Sequence, residues 1–200
     1  MHTPYHELQA RVAFIIEIDK LKAVLRKNKP VTLERHENSA EHSWQVAMLA
    51  LAMAPHATES INIERVIRLL LVHDIGEIDT GDTIFYAEEG LAERKAAELE
   101  AIKRIFGLLP AAQSEQLLDY WLEFDAGQSV EARFAHAMDR MMPILLNLNR
   151  QGQSWRENGV SRQQVQEKAV SQVAAGCPLA ADWLTNALTE AEQQGWFTPH

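Results

Sequence analysis

His73 and Asp74 close a markedly apolar run, Leu-Leu-Leu-Val-His-Asp-Ile-Gly-Glu, that ends at Glu77. Two ionisable groups set against so much hydrocarbon carry a desolvation cost that something must offset. A divalent cation does so readily, because imidazole nitrogen and carboxylate oxygen both ligate such ions and the ion neutralises the acid. A histidine and an aspartate paired with each other and with a capping backbone group would also satisfy the site, so the dipeptide leaves both readings open. Two further segments share its character. His42 lies in Glu-Asn-Ser-Ala-Glu-His-Ser-Trp-Gln and Asp139 in Ala-His-Ala-Met-Asp-Arg-Met, and both are polar residues embedded in apolar helical patterns. Asp139 is flanked by Phe134, Ala135, Met138, Met141, Met142 and Ile144, which turns its carboxylate toward the interior or a partner. His136, one turn earlier, reads either as a group that orients a ligand or as a plain interior histidine.

The elements that must position these residues are helical. Apolar residues recur at helical spacing, as in Val46, Leu49, Ala50 and Met53, or Val66, Leu69, Leu70 and His73, and alternating β-type runs are scarce. Breakers divide the pattern into about eight helices, over 5–27, 39–54, 62–76, 89–106, 110–125, 129–151, 161–174 and 178–194. The expectation is an all-α, antiparallel assembly. Asn38 or Ser39 is placed to cap the second helix through a short side-chain oxygen, which puts His42 in the first turn. The irregular stretch from Ile78 to Glu88, with Gly81 inside it, is expected to return over the site as a loop.

Composition narrows the functional classes. The 200 residues are 46% hydrophobic and 24% charged, enough apolar material for one sizeable core and one domain spanning 1–200. With 28 acidic against 19 basic residues and a net charge of −9, nucleic acid is not the expected partner. A single cysteine, Cys177, allows neither an internal disulfide nor a Cys-x-x-Cys metal site, so a cytoplasmic setting is expected. The apolar stretches Val46 to Pro55 and Val66 to Val72 are too short to span a bilayer, and no membrane partner is expected.

The order His, then His-Asp, then Asp resembles the HD-domain superfamily of metal-dependent phosphohydrolases. More narrowly, Asp19-Lys20-Leu21-Lys22, the run from Arg35 through His42 to Trp44, and His73-Asp74-Ile75-Gly76-Glu77-Ile78-Asp79-Thr80-Gly81-Asp82-Thr83 look like the branch containing the 5′-deoxynucleotidases. The likeness runs from about residue 14 to residue 148, with 149–200 as C-terminal helices completing the fold. It implies that His42, His73, Asp74 and Asp139 hold one divalent metal ion, with positions left for water or substrate. The extra histidine pair of two-metal relatives is missing, since His136 is the only histidine between Asp74 and Asp139. Two histidines and two carboxylates suit Mn²⁺, Co²⁺, Fe²⁺ or Mg²⁺ better than closed tetrahedral Zn²⁺. A homodimer is a further implication of the likeness.

The chemistry implied is attack of water on a phosphoryl group, with no serine or cysteine nucleophile. Glu77 follows Asp74 by three residues and shares its face if helical geometry persists. By resemblance, Glu77 orients the water and Asp82 protonates the leaving ribose oxygen or helps position water. A solvent-exposed helix-end carboxylate and an Asx-turn residue are the plain alternatives. A phosphate dianion also needs cations, and Arg26, Arg35 and Lys22 precede His42 in suitable places. The branch's Arg-Trp pair that helps select the nucleotide has Lys27-Asn28 as its ungapped counterpart here. Phe85 and Tyr86 offer a different aromatic wall, and Trp44 either stacks on a base or joins the core. The expected substrate is a small phosphomonoester, foremost a nucleoside or deoxynucleoside 5′-monophosphate. A nucleoside triphosphate or guanosine polyphosphate would call for more clustered Lys and Arg, and a non-catalytic metal-stabilised module is the third possibility.

Overall fold

Helix α7 (Val130–Asn149) is the axis on which the other helices assemble. It packs against α2 (Ser39–Met53), α3 (Ile63–Val72), α6 (Ala111–Ala126) and α10 (Ser171–Gly176). The computed structural model describes residues 4–86 and 90–198, and the fold is all-α as the periodicity indicates. The remaining helices are α1 (Pro4–Ile18), α4 (Glu77–Thr80), α5 (Leu91–Phe106), α8 (Gln153–Glu157), α9 (Arg162–Gln164) and α11 (Pro178–Gln193). Buried Val46 and Ala50, Val66, Leu69 and Leu70, Ile102 and Phe106, Phe134 and Met138, and Leu184 and Leu188 form one contiguous core. Each large aliphatic side chain in it contributes roughly 1.5–3 kcal/mol by leaving water.

Local sequence explains where the site-bearing helices start. Asn38 caps α2: its Oδ1 accepts from the Glu41 N–H at 3.0 Å, and the Glu41 carboxylate accepts from the Asn38 N–H at 3.2 Å. Asn62 caps α3 and Ser129 caps α7 one way only, their side-chain oxygens accepting from the Arg65 and Ala132 N–H groups. Gly176 permits a close helix contact. A Cβ there would lie 2.8 Å from both the Ala137 Cβ and the Arg133 carbonyl oxygen, so α10 meets α7 backbone to backbone.

Four expected helices end early or divide, with consequences for the site. The expected helix over 5–27 stops at Ile18, becomes a 3₁₀ turn (Asp19–Ala23), and turns extended so that Leu25 forms an antiparallel bridge with Asn38. That bridge, not helical periodicity, places Arg26. The expected helix over 62–76 ends at Val72, and the chain turns through 73–76 before α4. The pattern over 129–151 breaks after Asn149 and resumes as α8. The helical stretch from 162 to 176 contains a π-helical segment, Val165–Val170, an arrangement that often accompanies function. Within the expected loop, α4 forms first and Gly81 then turns the chain at φ +75°, a conformation costly for other residues. Ala87 and Glu88 at that loop's end lie outside the described residues.

Candidate metal centre

His42, His73 and Asp139 are all buried and can each offer a ligand atom within 4.8 Å of the others. His42 enters from the first turn of α2, His73 from the C-terminal cap of α3, and Asp139 from mid-α7. His42 Nε2 lies 2.9 Å from Asp139 Oδ1, and His73 Nε2 lies 3.6 Å from the same oxygen. Asp74, the expected fourth ligand, lies beside this trio but is not part of the cluster whose ligand atoms all fall within 4.8 Å: its Oδ1 is 3.0 Å from His73 Nε2 and its Oδ2 4.0 Å from His42 Nε2. The Trp121 indole N–H donates to the His73 carbonyl, and the His73 ring leans on Phe124 at 4.9 Å.

The arrangement fits a divalent cation. His73 Nδ1 is committed to the Leu70 carbonyl at 2.8 Å, so a neutral ring presents its Nε2 lone pair to two carboxylates. That Nε2 is buried and makes no hydrogen bond, a costly arrangement that a cation would relieve. Five carboxyls, from Glu37, Asp74, Glu77, Asp82 and Asp139, gather around the guanidinium groups of Arg26 and Arg140, with Lys27 acting on Asp82 from farther away. A divalent ion would supply the positive charge that this surplus of acid lacks.

Arg26 is the hub of the acids. Its guanidinium stands 2.9 Å from Asp74, 3.5 Å from Asp82, 3.6 Å from Glu37 and 3.7 Å from Glu77, and its side chain is 13% exposed. Ser39 Oγ donates to Glu77 Oε2 at 2.6 Å, tying the start of α2 to the start of α4. Glu77 and Asp82 are therefore enclosed, not solvated helix-end or turn residues. Burial, reinforced by the Asp74 charge, pushes Glu77 up to about 9, and burial likewise raises Asp82. Burial, with help from Arg26, lowers His42 to about 4 and keeps it neutral, as a ligand must be. Burial also disfavours the His73 cation, but Asp74 and Asp139 outweigh it and carry His73 up to about 10. A proton and a metal ion would thus compete for the same Nε2. Asp74 falls to about 2 because His73 and Arg26 overcome its burial.

Arg35 and Lys22 are not brought to the centre. Arg35 makes a bidentate pair with Glu41 on the surface, at 2.8 and 2.5 Å, and Lys22 pairs with Asp19. Glu41 serves as cap and surface partner. His136 is half-buried in the wall of the adjoining cleft, where it donates to the Phe124 carbonyl at 2.7 Å and stacks on that ring. Trp44 is exposed on α2, outside both core and cleft, whereas Trp155 is buried against Phe197. Trp183 is exposed and Trp196 packs against the core.

Beyond the centre opens a cleft of about 650 Å³. Lys27, Asn28, Phe85 and Tyr86 line it, as do three residues sequence reasoning passed over: Arg140, Lys168 and Gln172. Arg140 holds Asp139 Oδ2 at 3.0 Å, donates to Gln172 at 3.1 Å and covers the Phe85 ring at 3.8 Å. Glu37 was also passed over, because it precedes the α2 cap and belongs to no apolar period. The bridge at Asn38 is what buries it, and burial pushes its carboxyl up to about 7 against the pull of Arg26.

An HD-domain family model matches residues 18–180. The chain is 29% identical over 141 residues to the human 5′-deoxynucleotidase HDDC2, covering 70% of this chain and 68% of the human protein. It is 32% identical over 113 residues to the mouse 5′-deoxynucleotidase HDDC2, covering 56% of this chain and only 55% of the mouse protein. A crystal structure of a predicted metal-dependent phosphohydrolase from Magnetospirillum magnetotacticum MS-1 superposes with a TM-score of 0.90 at 38% identity, covering 97% of this chain and all of that one.

Proposed function

Because the chain belongs to the HD-domain family, we propose that it hydrolyses a small phosphomonoester, foremost a nucleoside or deoxynucleoside 5′-monophosphate, to nucleoside and phosphate. The observation that carries this reading is the convergence of His42, His73, Asp74 and Asp139 with Glu77 and Asp82 around Arg26 at a cleft of nucleotide size. The names of the human and mouse relatives support a nucleotide.

The four ligands would hold one ion, with Mn²⁺, Co²⁺, Fe²⁺ or Mg²⁺ better suited than Zn²⁺. Such an ion supplies Lewis acidity toward phosphoryl oxygen and makes water a stronger acid. Glu77, raised by burial and the Asp74 charge, would ionise beside a bound cation and, as a carboxylate, orient the attacking water and take its proton; Ser39 fixes one of its oxygens and leaves the other on the Arg26 side. Asp82, whose carboxyl burial shifts toward the protonated form, delivers a proton to the departing ribose oxygen. Arg26 balances charge between the acids and an incoming phosphate.

The same reading takes residues 1–200 as one cytoplasmic domain, consistent with the free, buried Cys177. Among the described residues no helix is long and apolar enough to cross a membrane. A homodimer is part of the proposal. Tyr5, Leu8, Val12, Ile15 and Ile16 on α1 are large, exposed and at helical spacing, as an interface would require.

One observation favours a second reading. Lys27, Arg94, Lys95, Arg140 and Lys168, scattered in sequence, line the cleft together with Glu98, Asp125 and Glu167. Lys95 is paired with Asp125 and Arg140 with Asp139, and re-aimed at a ligand these cations would suit a substrate carrying more than one phosphate. One experiment separates the possibilities: metal-free protein, reloaded with Mn²⁺, Co²⁺, Mg²⁺ or Zn²⁺, is offered nucleoside mono- and triphosphates and simple phosphate esters. Phosphate from monophosphates supports the first reading, and cleavage of triphosphates alone supports the second. No release under any condition leaves the non-catalytic module.

A further inference from the structure

We infer that Glu37 is a positioning residue of the metal centre, setting the tautomer of His42 and holding Arg26 among the acids. The inference rests on the metal-centre reading above. Glu37 is 2% exposed, and its Oε1 makes no hydrogen bond. That oxygen stands 3.7 Å from His42 Nδ1, which is itself buried and without a partner, and 3.6 Å from Arg26 Nε. Two unpaired buried atoms of opposite character therefore face each other, just beyond hydrogen-bond length.

The chemistry of the centre says what the pairing is for. His42 turns Nε2 toward Asp139 and Asp74, so Nε2 is the nitrogen that must ligate. A neutral imidazole ligating through Nε2 carries its proton on Nδ1, and a buried N–H needs an acceptor. Glu37 Oε1 is the acidic acceptor on that side. Arg26 Nε is a second donor aimed at the same oxygen, so Glu37 anchors one end of the guanidinium while Asp74 takes Nη1 at 2.9 Å. Ligand tautomer and hub arginine are thereby fixed by one carboxylate. The chain path allows it: the Arg26 N–H donates to the Glu37 carbonyl at 2.9 Å, which holds the two residues side by side.

Both neighbours of Oε1 are donors, so an amide can replace the acid by presenting its carbonyl oxygen, whereas a methyl cannot. The test titrates Co²⁺ into metal-free full-length wild type, Glu37→Gln and Glu37→Ala, following heat and the visible Co²⁺ spectrum. Melting of the metal-free forms is measured alongside. Glu37→Ala should weaken Co²⁺ binding about 10–100-fold, and Glu37→Gln should recover much of that loss. Metal affinity is independent of turnover, so failure of the phosphohydrolase proposal would show separately, as wild type that binds Co²⁺ but cleaves nothing. Wild-type Co²⁺ affinity in folded Glu37→Ala would overturn the inference, as would Glu37→Gln binding no better than Glu37→Ala.

Discussion

Arg26 and Arg35 lie nine residues apart in one stretch of chain, and their settings could hardly differ more. Arg26 is largely buried and shared among four carboxylates. Arg35 is half exposed and clasps the single carboxylate of Glu41, which also caps α2. The surface pair has good bidentate geometry, yet water and salt already solvate both partners, so it contributes little. The buried hub gains strength from low dielectric, but only as a set, because removing one member leaves the others uncompensated. Pairing geometry alone therefore does not tell function from decoration. Desolvation does.

The comparison can be broken at several points. Asp139→Ala should abolish both Mn²⁺ binding, read by calorimetry, and any phosphate release, because it removes the oxygen between the two histidines. Glu77→Ala should keep the metal and lose roughly 10²–10⁴-fold in kcat; metal loss equal to that of Asp139→Ala would move Glu77 from catalyst to ligand. Arg26→Ala should destabilise the protein by about 3–5 kcal/mol in denaturant titration, since it strands buried acids. Saturating Mn²⁺ at about 100 times its Kd should stabilise the wild type by about 2.7 kcal/mol, an effect Asp139→Ala should lack. Arg35→Ala should cost less than about 1 kcal/mol and leave turnover near wild type. A large loss of activity there would restore Arg35 as a substrate contact and erase the contrast with Arg26.

Much of the centre was legible before folding. His42, His73 and Asp139 stand out because each interrupts an apolar helical face, and a polar group there must be paired or ligated. Asn38 as the cap of α2 was readable for the same local reason, a short oxygen ahead of an apolar period. Glu37 and Arg140 gave no such signal. An acid in a loop and an arginine beside an aspartate look like ordinary surface residues until the bridge at Leu25 and Asn38 buries one and the cleft receives the other. The single helix expected over 5–27 failed likewise, because helical spacing cannot register a chain that turns extended to deliver Arg26.

The sequence by itself determined the all-α class and marked His42, His73, Asp74 and Asp139 as ionisable residues set in apolar helical patterns, because periodicity and the cost of burying charge are local properties. Reading the four as one ligand set came from the resemblance to the HD-domain superfamily. Only the tertiary structure decided which charges meet. It drew Arg26 into the acids and left Arg35 and Lys22 outside. It also gathered Lys27, Arg94, Lys95, Arg140 and Lys168 along one cleft in a chain of net charge −9. Electrostatic pairing depends on distance through space and on exclusion of water, and neither is written in the spacing of residues along a chain.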